Sequence, residues 1–262
     1  MTTAGRLAAG LPDLGIRALT ARSIALSGLL GTHPPTLPAR ALIALGEPFG
    51  VTAGAMRTAL SRMVACGEVD LSEGRYTLGD RLRERQSAQN AARRAAPGAW
   101  DGSWWIAVVD VKGRPLSDRR AFRESMRHHR MGELRPDTWL RPANVDGPPP
   151  TDDILLSRGR LVDRDGPDLV GRLWDLDALA ATGARLLPLV EQADAWLADD
   201  DPTVLPDTFM VSVAVARFLL CEPQLPAKLV RRDTHGEELR AAYAQLEAGN
   251  TRLLAALVRT PH

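Results

Sequence analysis

The sequence predicts an α+β protein with an N-terminal winged helix-turn-helix, a central ferredoxin-like α/β unit and a C-terminal helical domain. Three observations predict it. Between residues 20 and 80, three short helical patterns precede a glycine-turned hairpin. A strand that is apolar on both sides, "WDGSWWIAVVDV", is followed by an Arg-rich helical pattern and two further strand-like stretches. From Leu169 onward only helical periodicity remains. The resulting division is a flexible tail at 1–19, a winged helix at 20–80, a linker helix at 81–99, a ferredoxin-like domain at 100–165 and a helical domain at 166–262.

Each element has a local cause. Thr20 can cap a first helix running to Leu30, with Ile24, Leu26, Leu29 and Leu30 facing inward and Gly31 as the stop. A second short helix runs from about Pro38 to Leu45, where proline suits the first turn. Gly46, Pro48 and Gly50 then force a turn. Thr52–Cys66 forms the third helix, with Met56, Leu60, Met63 and Val64 as its apolar stripe. After Gly67, strands Val69–Ser72 and Arg75–Leu78 are joined by Glu73–Gly74, a two-residue hairpin signal. Polar, alanine-rich "GDRLRERQSAQNAARRAA" reads as the linker helix.

In the central part, Trp104, Ile106, Val108 and Asp110 alternate with Trp105, Ala107 and Val109, the pattern of an inner strand. "LSDRRAFRESMRHHRMGEL" is helical in pattern, and "PDTWLRPANV" and "DILLSRGRLVD" read as strands. That β-α-β-β order is most of a ferredoxin-like unit. Four helices follow, at about 173–182, 184–198, 206–220 and 235–257.

Composition sets outer limits. The chain has 262 residues, 45% hydrophobic and 25% charged, which is ordinary for a globular protein able to bury a core. Two cysteines far apart, Cys66 and Cys221, argue against a disulfide scaffold and fit a reducing cytoplasm. The N-terminus lacks the apolar core of a signal peptide. Its longest apolar piece, Phe209 to Cys221, is broken by Ser212 and Arg217 and reads as a buried helix. Net charge is +1, but residues 1–100 carry +5, residues 101–145 carry +3 and residues 146–262 carry −7. A polyanion would therefore meet the front of the chain.

The third helix supplies the candidate site. Opposite its apolar stripe lie Arg57, Thr58, Ser61 and Arg62, the side-chain types that contact base edges and phosphates. Thr52 at the helix start and Arg75 on the wing are placed to contact phosphate. Helix, helix, helix, hairpin is the order of a winged helix, and double-stranded DNA is the expected partner.

At these residues the chain resembles the PaaX family of bacterial repressors of phenylacetic-acid catabolism. The likeness rests on Arg22–Ser23 opening the first helix and on "MRTALSRMV" (Met56–Val64) in the third. It continues in the Trp-Asp-Gly-x-Trp strand (Trp100–Trp104), the Arg-rich helix and "TWLRPAN" (Thr138–Asn144). "CEPQLPAKLVRRDTHG" is similar to the family's C-terminal motif, with Thr234–His235 in place of its Trp-Pro. The resemblance implies a repressor that binds a palindromic operator as a homodimer and is released by an acyl- or aryl-acetyl-CoA effector. No cofactor and no metal site are expected.

Other chemistry is weaker. Asp110, at the end of the first central strand, would be the metal ligand of a Mg²⁺-dependent nuclease, but no second acidic ligand stands nearby in sequence. His128 and His129 are adjacent on a helix and point in different directions, a poor metal pair. Arg119, Arg120, Arg123, Arg127 and Arg130 could hold an effector's phosphates, or form a solvated face pairing with Asp118 and Glu124. Trp174, Trp196, Phe209, Met210, Phe218 and Leu219 read as core, with an effector pocket among them as the alternative.

Overall fold

The computed structural model describes residues 19–32, 34–80, 82–84, 98–110, 116–162 and 166–259. The expected tail, apart from Leu19, and most of the expected linker helix lie outside these residues. The protein is α+β, with helices and two antiparallel sheets. It divides into two compact units. One comprises residues 1–91, 185–216 and 237–262; the other comprises 92–184 and 217–236. The C-terminal helices thus contribute to both.

The first unit begins with α1 (Ala21–Leu30), which opens on a capping box. The Thr20 hydroxyl accepts from the Ser23 backbone, and the Ser23 hydroxyl accepts from the Thr20 N–H. β1 (Thr36–Pro38), α2 (Ala39–Gly46), a 3-10 turn (Glu47–Phe49) and α3 (Ala53–Ala65) follow. β2 (Val69–Ser72) and β3 (Arg75–Leu78) complete a three-stranded antiparallel sheet of order β1-β3-β2. The hairpin turn is as the sequence predicts: Glu73 and Gly74 both have positive φ (49° and 71°), the geometry of a type I′ turn. β1 is an element the sequence does not announce. Its three residues show no alternation, and it exists through pairing with β3, including a 3.0 Å Thr36–Thr77 hydroxyl contact.

Ile24, Leu29, Leu42, Leu45, Met56, Leu60, Met63, Val69 and Leu78 form one buried cluster here. Two C-terminal helices of this unit reach it. Phe49 packs edge-on against Phe209 with ring centroids 5.6 Å apart, and Leu254 lies against the cluster.

The second unit is built on a four-stranded antiparallel sheet of order β5-β6-β4-β7. Its strands are β4 (Ser103–Val109), β5 (Gly132–Arg135), β6 (Thr138–Pro142) and β7 (Ile154–Arg160), with α4 (Leu116–His128) between β4 and β5. β4 is an inner strand, as its two apolar faces predict. Trp104 and Ile106 pack with Leu140, Leu169 and Val170, while Ala107 packs with Met126, Met131 and Trp139.

Three sequence readings need correction. The Arg-rich helix stops at His128, because Arg130 takes a left-handed φ of 55° and residues 132–135 become β5. Three strands therefore follow the helix, not two. The C-terminal region begins with a helix the sequence does not announce, α5 (Pro167–Leu173). The helices expected at 173–182 and 184–198 are one, α6 (Leu176–Leu197), which runs through Gly183 and Pro188. Gly183 is there for close approach: a Cβ would sit 2.2 Å from the Thr234 carbonyl oxygen. α7 (Leu205–Cys221) and α8 (Gly236–Arg259) complete the chain. Among the described residues, one helical stretch, Pro202–Cys221, is long and apolar enough to cross a membrane. Val211, Val215, Phe218 and Leu219 of that stretch are buried within the fold.

Candidate nucleic-acid interface

α3 owes its direction to two faces. Met56, Leu60 and Met63 are buried to within 1% of full burial. Val64 was expected in the same stripe, but it is 36% exposed. At roughly 100° per residue it sits about 80° from Met56, whereas Leu60 and Met63 lie within about 40° of it. The buried stripe is thus three residues wide, and the open face correspondingly broader.

On that open face Arg57, Thr58, Ser61 and Arg62 are all exposed. No carboxylate among the described residues pairs with Arg57 or Arg62. The Thr58 hydroxyl donates 2.9 Å to the Gly54 carbonyl one turn back, which leaves its oxygen free to accept. Thr52 caps α3, its hydroxyl accepting from the Ala55 N–H at 3.2 Å. One of the N-terminal N–H groups that would meet a phosphate is therefore already engaged.

Arg75 is exposed next to the hairpin turn and donates at 3.4 Å to the Thr36 carbonyl, a long contact that leaves the cation without a countercharge. Arg22 differs. Its Nε donates at 2.8 Å to Glu68, its other nitrogen makes a second, shorter bond to the same carboxylate, and these bonds raise its pKa. This bidentate pair ties α1 to the segment after α3. Arg22–Ser23, read from sequence as a signature, is an ion pair plus a cap.

The second unit's motif blocks are likewise structural. In Trp100–Trp104, Trp100 packs edge-on to Trp104 at 6.0 Å, and its indole donates to the Ser103 carbonyl at 2.6 Å. Asp101 accepts from the Ser103 N–H at 2.9 Å and pairs with Arg158 at 2.9 Å, and the Ser103 bonds first of all hold its carboxyl below the usual range. Gly102 supplies a φ of 87° that ordinary side chains avoid.

Arg141 and Asn144 of the "TWLRPAN" block reach the C-terminal segment. Arg141, 1% exposed, donates to the carbonyls of His129 and Pro142 at 3.1 Å each and of Pro223 at 3.4 Å. Asn144 donates to the Gln224 carbonyl at 2.7 Å. Arg130 adds bonds to the Glu222 and Leu219 carbonyls at 3.0 and 3.3 Å. Desolvation, then the charge of Arg130, pushes Arg141 down to about 9, so it stays cationic at neutral pH. Sequence spacing had no means of joining two blocks some eighty residues apart.

Asp110 lies exposed just beyond β4, its N–H donating to the Asp153 carbonyl at 3.0 Å. Among the described residues it belongs to no cluster of three acidic, His or Cys side chains close enough to share a metal ion. In the Arg-rich helix, Arg123 pairs with Glu133 at 2.7 Å, and the nearby Arg130 turns into the protein. An open groove in the second unit runs beside Trp174, Leu229 and Arg172; Arg231 and Arg232 on its rim pair with Asp168 and Asp177 at 3.0 Å each.

An exposed basic helix face backed by three buried apolar residues, beside an arginine-bearing hairpin, is a surface able to meet a polyanion. The model of the PaaX-like protein family matches residues 20–82, the helices and sheet just described. The chain belongs to the PaaX-like family of regulators. A solved structure, the uncharacterized protein Rv0674 from Mycobacterium tuberculosis, is 38% identical with a TM-score of 0.73. That similarity covers 92% of this chain and 99% of that one. No curated protein matches.

Proposed function

We propose that this protein is a cytoplasmic transcriptional repressor that binds a palindromic operator as a homodimer through a winged helix-turn-helix. One observation carries the reading. Arg57 and Arg62 stand exposed, without an acidic partner among the described residues, on the face of α3 opposite Met56, Leu60 and Met63. Unpaired cations on a helix held by its other face suit a polyanion. In this reading Arg57, Thr58, Ser61 and Arg62 meet base edges in the major groove, while Thr52 and Arg75 meet phosphates. The β2–β3 hairpin is the wing. The second unit's strand order, 2-3-1-4 in its own numbering, supports reading it as a ferredoxin-like unit. The effector is an acyl- or aryl-acetyl-CoA, and the protein uses no cofactor or metal.

The test is binding to the protein's own promoter region by a salt-dependent gel shift. Arg62→Ala is expected to cost about 1–3 kcal/mol and to narrow the gap between promoter and random DNA. Unchanged affinity and unchanged discrimination would remove Arg62 from the interface. An enzymatic alternative, a Mg²⁺-dependent nuclease centred on Asp110, would show itself as cleavage lost in Asp110→Asn.

A further inference from the structure

Beside the hairpin turn lies an arginine that sequence reading passes over. β1 pairs with β3 so that Pro38 lies opposite Arg75. The Ala39 N–H donates to the Gly74 carbonyl at 3.1 Å, stitching the start of α2 to the hairpin turn. Arg40 is the next residue. It is exposed, and no carboxylate among the described residues pairs with it or with Arg75. Glu73, the acid in the turn itself, forms an ion pair with neither.

This placement costs stability. The first turn of α2 holds no acidic residue, and a cation there opposes the helix dipole. Strand pairing brings Arg75 beside the same turn. Folding gains nothing evident from Arg40, so its use lies outside the fold.

We propose that Arg40 and Arg75 form a two-arginine phosphate clamp, set by β1–β3 pairing beside the hairpin turn. The clamp grips one stretch of DNA backbone while the open face of α3 meets base edges. This rests on the DNA-binding reading above. It adds a residue that no periodicity marks, and it divides the arginines by role: Arg57 and Arg62 for bases, Arg40 and Arg75 for phosphates.

The experiment uses the full chain and a mixed-sequence 30-bp duplex, followed by fluorescence anisotropy from 25 to 200 mM NaCl. Each phosphate contact contributes about 0.9 to the slope of log affinity against log salt. Arg40→Gln is expected to lower that slope by about 0.9, so that across the range the wild type loses about six-fold more affinity than the variant. Arg40→Lys, which keeps the charge, should restore the slope. Arg232→Gln, whose arginine pairs with Asp177 in the second unit, should leave it unchanged. Thermal melts of each variant confirm folding. A wild-type slope in Arg40→Gln, with wild-type binding intact, overturns the clamp and leaves the DNA reading standing. Failure of the wild type to bind the duplex at 25 mM overturns both.

Discussion

Replacing Arg141 by methionine tests whether the buried guanidinium holds the second unit together. The side chain is 1% exposed, and methionine keeps most of its length without charge or donors. Two of its bonds, to the His129 and Pro142 carbonyls, are 3.1 Å and count fully. Two others, to Pro223 at 3.4 Å and to the Asn144 side chain at 3.5 Å, lie at the limit and count for little. Losing two bonds from a charged donor costs roughly 3–6 kcal/mol, since each is worth about 1.5–3. Against this, the variant no longer carries a desolvated charge beside Arg130, the same physics that pushes Arg141 down to about 9. The difference leaves a net loss of about 2–4 kcal/mol. Urea unfolding followed by tryptophan fluorescence reads it through Trp104 and Trp139, both in the same sheet. With a slope of about 1–2 kcal/mol per molar, the midpoint should fall by more than ~1 M at unchanged slope. Asn144→Ala removes the 2.7 Å bond to the Gln224 carbonyl, and the double variant should be non-additive because both side chains hold the same segment. An Arg141→Met midpoint within ~0.3 M of wild type would show that desolvation cancels the bonds and that Arg141 does not hold the second unit together.

Two further outcomes follow from the packing. Gly183→Ala should destabilise by up to about 2 kcal/mol, because overpacking of roughly 1–3 outweighs about 1 of helix propensity; the control Gly171→Ala, where a Cβ meets nothing within 4 Å, should be neutral or stabilising. Equal melting shifts for the two would show that the close approach to the Thr234 carbonyl does not require glycine at position 183. Burial first, then the charges of His128, Arg141 and Arg130, lowers the pKa of His129. The unfolded chain therefore takes up the proton first, so stability is full above about pH 6.5 and is lost as pH falls below it, by at most about 1.4 kcal/mol per pH unit. His129→Gln should flatten the drop in melting temperature between pH 7.5 and 5.5; a drop as steep as wild type places the titration elsewhere.

What was legible in the sequence was local. The Thr20 cap, the Glu73–Gly74 turn and the Met56–Leu60–Met63 stripe each follow from residues within a few positions of one another, and each stands in the structure. What failed was set by distant partners. β1 is three residues without alternation and exists because β3 offers it a register. Gly183 looked like a stop because its neighbour, the Thr234 carbonyl, is some fifty residues away. β5 was hidden because "RMGEL" continues a helical pattern until the left-handed Arg130 ends it. The site shows the same division. Periodicity placed Arg57, Thr58, Ser61 and Arg62 on one face, but it misjudged Val64, whose angle from the stripe matters more than its spacing. Arg40 has no periodic signal at all; only strand pairing puts it beside Arg75.

The contact between Phe49 and Phe209 bears on how α3 is aimed. Phe49 ends the 3-10 turn that sets the entry of the chain into α3, and three residues later Thr52 caps that helix. Its ring is half-buried and is met edge-on by Phe209 of α7, an arrangement worth about 0.5–1.5 kcal/mol beyond the area it covers. Phe209 is in turn fixed by its own helix. Thr208, next to it, is fully buried and donates to Asn250 of α8 at 2.6 Å, and Asn250 donates to Ser212 at 3.0 Å. A buried polar chain of this kind resists sliding, because any shift in register strands a donor or an acceptor. The turn before α3 is therefore braced by helices that begin more than 150 residues later in the chain. If α3 reads DNA as proposed, the brace bears on recognition as well as on stability, because base contacts need a fixed approach of the helix. A helix anchored only through Met56, Leu60 and Met63 could rock about that stripe. One also anchored at its entry turn, by rings locked to α7 and α8, holds Arg57 and Arg62 at a fixed angle.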